Sequence, residues 1–146
     1  MAVLVVLLVS WMVFRGIGAL GVSTLASGQA SARYALVVMF AMTASAHFTS
    51  MKHDLERMVP RIFPWPMWIV YLTGVFEFLG AAGLLVSKLR SVAGICLMVL
   101  LVAMFPANVR AARERLNLRG KPATALWLRM PMQVVFIGMI WWASQS

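Results

Sequence analysis

The run from Pro66 to Val86, PMWIVYLTGVFEFLGAAGLLV, is broken by a single acidic or basic side chain, Glu77, near its centre. A hydrocarbon layer about 30 Å thick is crossed by roughly 20 apolar residues in helix, so a stretch of this kind points to lipid as its solvent. Four more runs share the character. Ala2 to Phe14 is uncharged and continues past Arg15; Tyr34 to Phe48 ends near His47; Val92 to Val109 contains Pro106 and Asn108; and Leu126 to Ala143 includes Arg129 and Gln133. In lipid each unpaired backbone group costs several kcal/mol, so such runs must be helices, being too long and too unalternating for barrel strands. The charge content agrees: 12% of residues are charged, against about a quarter in a soluble domain.

The expectation is therefore an all-α membrane protein, one transmembrane domain over residues 1–146. Its helices fall at about 2–22, 34–50, 66–87, 91–109 and 125–144. Between the second and third, Met51, Leu55, Met58 and Ile62 recur at helical spacing, which predicts an amphipathic interfacial segment over about 51–62, with His53 and Asp54 on its solvated side. The first run resembles the apolar part of a leader, but no Lys or Arg precedes it, so it is read as a retained helix.

Basic residues set the expected orientation. With five alternating helices, one face holds Lys52, Arg57, Arg61, Arg110, Arg113, Arg115, Arg119 and Lys121; the other holds Arg33, Lys88 and Arg90, with Arg15 near it. The richer face is expected in the cytoplasm, with the N-terminus inside and the C-terminus outside a bacterial inner membrane. Trp65, Trp68 and Trp127 fall at one interface and Trp141 and Trp142 at the other, where amphipathic rings settle, whereas Trp11 fits neither. The net charge of +9 lies in loops beside helices, where anionic lipid is a nearer partner than nucleic acid, which is excluded.

Depth, at about 1.5 Å per residue, brings the intramembrane polar groups toward one level. His47, Asn108 and Arg129 lie near the basic end, Gln133 one turn deeper, and Glu77 near mid-depth with Thr73 a turn away. These residues are placed to line one cavity opening to the cytoplasmic leaflet, and Pro106 and Pro131 each free a helical carbonyl near it. A carboxylate at mid-membrane must be protonated or paired, here with Arg15 or Arg129. His47 and His53 are on different helix faces and Cys96 is alone, so neither a metal site nor a thiol–disulfide mechanism is expected. The short SKLRS link makes the third and fourth helices an antiparallel pair, with Gly80 and Gly83 allowing close approach.

AHF at 46–48, VP at 59–60, FPWP at 63–66, YLTGVFEFLGAAGLL at 71–85, LLVAMFPANV at 100–109 and LRMPMQ at 128–133 together resemble a DoxX-like membrane protein over roughly Tyr34 to Trp142. That resemblance implies an antiparallel four-helix core, with Ala2 to Phe14 as an added N-terminal helix, and an association with membrane redox enzymes. The family's polar motifs would fall on His47, Glu77, Asn108, Arg129 and Gln133.

Three functions stay open at this point. The first is an accessory subunit of a membrane redox system, with a partner redox protein, binding a quinone or similar isoprenoid headgroup through His47, Thr73, Glu77, Asn108, Arg129 and Gln133. The second is a structural or chaperone-like protein without a ligand. The third is an enzyme using Glu77 and His47 as an acid/base pair on a lipophilic substrate.

Overall fold

The computed structural model describes residues 2–145, and among them the chain forms six α-helices and one very small β-ladder. The helices are α1 (Ala2–Ala19), α2 (Gly28–Ala46), α3 (Lys52–Met58), α4 (Pro66–Leu85), α5 (Arg90–Arg113) and α6 (Leu126–Ser144). A 3-10 turn at Ser23–Leu25 joins α1 to α2, and β1 (Asn117–Leu118) pairs antiparallel with β2 (Lys121–Pro122) between α5 and α6.

Neighbour relations define the architecture. Helix α2 packs on α4, α4 on α5, α5 on α6, and α6 returns to α2, closing a four-helix ring; α1 lies outside it against α2. Phe40, Leu36 and Met39 of α2, Leu84 of α4, Leu97 of α5, Ile140 of α6 and Leu7 of α1 are the large side chains of the shared core. Close helix contact is made where a side chain is missing. A Cβ on Gly83 would stand 2.7 Å from the Ala93 Cβ, and one on Gly94 would stand 2.6 Å from the Ser144 Cβ, closer than real side chains approach.

The outward faces are apolar. Val5, Leu8 and Val13 on α1, Leu72, Phe76 and Leu79 on α4, Val92, Val99 and Val102 on α5, and Val134 on α6 are all exposed. A soluble monomer rarely exposes apolar patches beyond a few hundred Å², so a surface of this kind belongs in lipid. Four helices, α1, α4, α5 and α6, are long and apolar enough to cross a membrane.

Helix α2 is not among those four, although it has 19 residues. It opens with GQASAR, and its start at Gly28 is well before the expected Tyr34 because Ser27 caps it by accepting the Ala30 N–H. Arg33, placed outside the helix by the sequence reading, is buried and donates from Nε to the Ala143 carbonyl of α6. Polar residues in this helix are covered by α1, α4 and α6, so α2 needs less apolar surface than a lipid-facing helix does.

Other boundaries shift for local reasons. Helix α1 ends at Ala19, before the positive φ of Gly21. The amphipathic segment stops at Met58 rather than Ile62, since Pro60 forces Val59 into an extended conformation. Conversely α5 runs through Pro106 to Arg113, where Arg110 and Arg113 suit the negative helix end. The β-ladder turns on Arg119 and Gly120, both at positive φ as a two-residue hairpin requires.

The four ring helices alternate in direction, which defines two ends. At one, the Gln29 amide donates to the Trp142 carbonyl, and the Ser91 hydroxyl to the Ser144 carbonyl. Trp11, which fitted no interfacial belt, donates from its indole to the Gly28 carbonyl at this level, and Arg15 donates to that of Ala26. The other end gathers His47, the start of α4, the end of α5, the start of α6, helix α3 and the β-ladder.

Candidate functional site

His47 sits one residue past α2, in helical conformation, and its ring turns onto α4. Its Nδ1 is 2.6 Å from the Val70 carbonyl oxygen and 3.2 Å from Thr73 Oγ1. A carbonyl can only accept, so Nδ1 carries the hydrogen. That leaves Nε2 facing Glu77, 3.6 Å from Oε1. The other carboxylate oxygen, Oε2, accepts a 2.7 Å hydrogen bond from the Thr43 hydroxyl. Val70, Thr73 and Glu77 recur along the inner face of α4, and Thr43 and His47 are one turn apart on α2, so two helix repeats register the group.

Burial is nearly complete: His47 and Glu77 are each 4% exposed. Gly74 makes the approach possible, because a Cβ there would lie 2.5 Å from the His47 Cβ and 2.8 Å from Cγ. A lone charge in such surroundings is costly, which favours one proton shared between Nε2 and the carboxyl group. The pair is then neutral overall, whether as imidazole with carboxylic acid or as imidazolium with carboxylate. At 3.6 Å the two atoms stand just beyond hydrogen-bonding distance.

The remaining candidates form a second group across α5 and α6. Arg129 donates from Nη1 to Asn108 Oδ1 at 2.6 Å and from Nε to the Thr124 carbonyl at 2.9 Å. Gln133 donates to the Leu101 carbonyl at 2.9 Å, next to Val102, the carbonyl that Pro106 leaves without its helical N–H. Thus His47, Thr73 and Glu77 come together in one cluster, and Asn108 and Arg129 in another, with Gln133 beside α5 one turn deeper. Glu77 is partnered by His47 and Thr43 rather than by Arg15, whose guanidinium is at the opposite end, or by Arg129. Thr43 was missed by sequence reasoning; its only signal was its position one turn before His47.

Around these clusters lies a polar cap. Asp54 of α3 accepts from the Arg119 backbone N–H of the β-turn at 2.9 Å and from the Arg57 guanidinium, which also donates to the Asn117 carbonyl. Chiefly through the Arg119 N–H, and also through Arg57, the Asp54 carboxyl is held below the usual carboxylate range. Lys52 reaches the Tyr71 hydroxyl at 2.9 Å, and Tyr71 stacks on Phe48. Two open grooves flank this end, one lined by Phe63, Trp65, Trp68 and Leu72 and one by Pro60, Phe105, Pro106 and Arg113; neither is lined by His47 or Glu77. No group of three or more His, Cys, Asp or Glu able to hold a metal occurs among the described residues.

The chain belongs to a family described as a domain of unknown function (DUF8561), whose model matches residues 36–144. That match spans nearly all of the four-helix ring and leaves α1 outside it. No curated protein and no solved structure matches the chain. The resemblance to DoxX-like proteins is thereby corrected: the family matched is a different one, and the redox association the resemblance implied goes with it. The motifs that suggested it are short and have general causes. Proline and tryptophan collect where helices enter an interface, and glycine collects where helices touch, in any compact membrane bundle.

Proposed function

We propose that the chain is a five-crossing protein of the bacterial inner membrane that binds the oxygen-bearing headgroup of a lipid-soluble molecule, a quinone or other isoprenoid, at its His47 end. Helix α2 makes the fifth crossing as the enclosed member of the bundle, and the end rich in basic residues faces the cytoplasm. The observation that supports the reading is the His47–Glu77 pair, 4% exposed on each side and 3.6 Å apart, an arrangement that is neutral while it holds one proton and could pass that proton to a ligand oxygen only as another proton replaces it. Arg129 and Asn108 supply further hydrogen-bonding groups at the same end.

A static tie between α2 and α4 is the second reading, favoured by the fact that every buried polar side-chain atom among the described residues has a partner. An enzyme using Glu77 and His47 as an acid/base pair would draw on the same buried proton. Mass spectrometry of small molecules retained by gently purified protein separates these readings. The proposal expects an isoprenoid compound in the wild type and its loss when His47→Ala and Arg129→Ala are combined. Lowered stability with no retained compound in either protein supports the tie instead.

A further inference from the structure

Where α3 gives way to α4, the chain is stapled to the end of α5: the Arg110 guanidinium donates to the Val59 carbonyl and, from Nε at 3.0 Å, to Glu114. Beside that staple runs an open groove of about 530 Å³ whose floor is Pro60, Phe105, Pro106 and Val109 and whose mouth carries Arg113 and Glu114. Pro106 shapes it, since proline removes a helical N–H without stopping α5. The groove thus has an apolar length and a charged mouth.

The charge at the mouth is unbalanced. The loops and helix ends here hold eight basic residues besides Arg129 and three acidic ones, Asp54, Glu56 and Glu114. Each acid is already engaged: Asp54 with Arg57 and the Arg119 N–H, Glu56 with His53 at 3.8 Å, and Glu114 with Arg110. Arg110 is spent on Val59 and Glu114. Arg113, by contrast, is exposed and has no hydrogen bond or ion pair among the described residues. Arg61, next to Pro60, is exposed and near enough to Glu114 to draw its carboxyl down, after the larger effect of Arg110. Arg113 therefore stands at the mouth with no ion pair of its own among the described residues, and Arg61, one residue past Pro60 of the floor, brings a second exposed guanidinium whose one acidic neighbour, Glu114, is already held by Arg110.

We infer that this groove is a docking site for an anionic phospholipid, with an acyl chain along Phe105, Pro106 and Val109 and the headgroup phosphate between Arg113 and Arg61. Guanidinium matches phosphate geometrically as well as in charge. A zwitterionic lipid fits the apolar length equally but leaves its own cation beside two arginines. The α5 terminus, whose dipole repels anions, is offset at this point by Arg110 in its last turn. The site is independent of the His47–Glu77 pair.

Native mass spectrometry of delipidated full-length protein titrated with phosphatidylglycerol or phosphatidylcholine tests it. The site predicts tighter retention of phosphatidylglycerol, a preference that falls by about fivefold for each guanidinium removed in Arg61→Gln and Arg113→Gln. Lys88→Gln, at the opposite end, leaves the preference unchanged. Equal retention of the two lipids overturns the inference. So does a preference that survives the double substitution, or one that Lys88→Gln reduces as much, which would reflect total charge alone. Both arginines are exposed, so their replacement leaves the fold intact, and an unchanged unfolding midpoint in detergent verifies that.

Discussion

Gly74 shows how one missing side chain can make a site. The glycine lets the end of α2 come close enough to α4 for the His47 ring to reach the Val70 carbonyl, and an added methyl would stand 2.5 Å from the His47 Cβ. Neither backbone nor ring has room to yield, so Gly74→Ala should cost about 1–3 kcal/mol through overpacking. It should also turn His47 away from Glu77. Thermal unfolding in detergent measures the first effect. Gly138, which meets nothing within 4 Å, is the control at which alanine should cost little. His47 and Glu77 were legible as candidates because ionisable groups inside an apolar run demand a partner. Their pairing entered only through the acid/base reading, and the ion-pair partner expected for Glu77 was Arg15 or Arg129, since sequence depth puts His47 at a helix end and Glu77 at mid-helix. The contact that joins them depends on Gly74 and on Thr43, residues ordinary in any membrane helix.

At the scale of elements, α3 and the β-ladder are joined mainly through Asp54. Its carboxylate holds the Arg119 N–H and Arg57, which in turn holds Asn117. Because the folded state lowers this carboxyl's proton affinity, the contact contributes fully above the carboxyl's ordinary pKa of 3.8 and is lost as pH falls through its lower value in the folded protein. The group lies at the surface and is partly exposed, so solvent screens the effect and the whole bundle should scarcely feel it. The 114–125 segment should. Hydrogen exchange at the Arg119 amide is expected to accelerate in Asp54→Ala at neutral pH, with little change in α4 or α5 amides. Uniform acceleration, or none, would mean that Asp54 does not hold the ladder. Here the sequence was only partly readable. The helical repeat of Met51, Leu55 and Met58 gave α3, and Pro60 explains its early end, but Arg119–Gly120 is a weak turn signal and the ladder went unexpected.

For the whole molecule, length and apolarity identified every long helix, and the short SKLRS link correctly paired α4 with α5. They placed the start of α2 too late, because a helix surrounded by others can bury Arg33 and Ser31 against carbonyls instead of facing lipid. The central claim of the proposal is that α2, the one long helix not apolar enough to count as a span by itself, crosses the membrane inside the bundle and carries His47 to the same end as Asn108 and Arg129. Single cysteines on either side of α2 test this most directly. Val22→Cys and His53→Cys, each exposed and each in a Cys96→Ser background, are labelled in intact and opened cells with a membrane-impermeant maleimide. The account predicts that Val22→Cys reacts from outside and His53→Cys only after the cells are opened; labelling of both from the same side would contradict it.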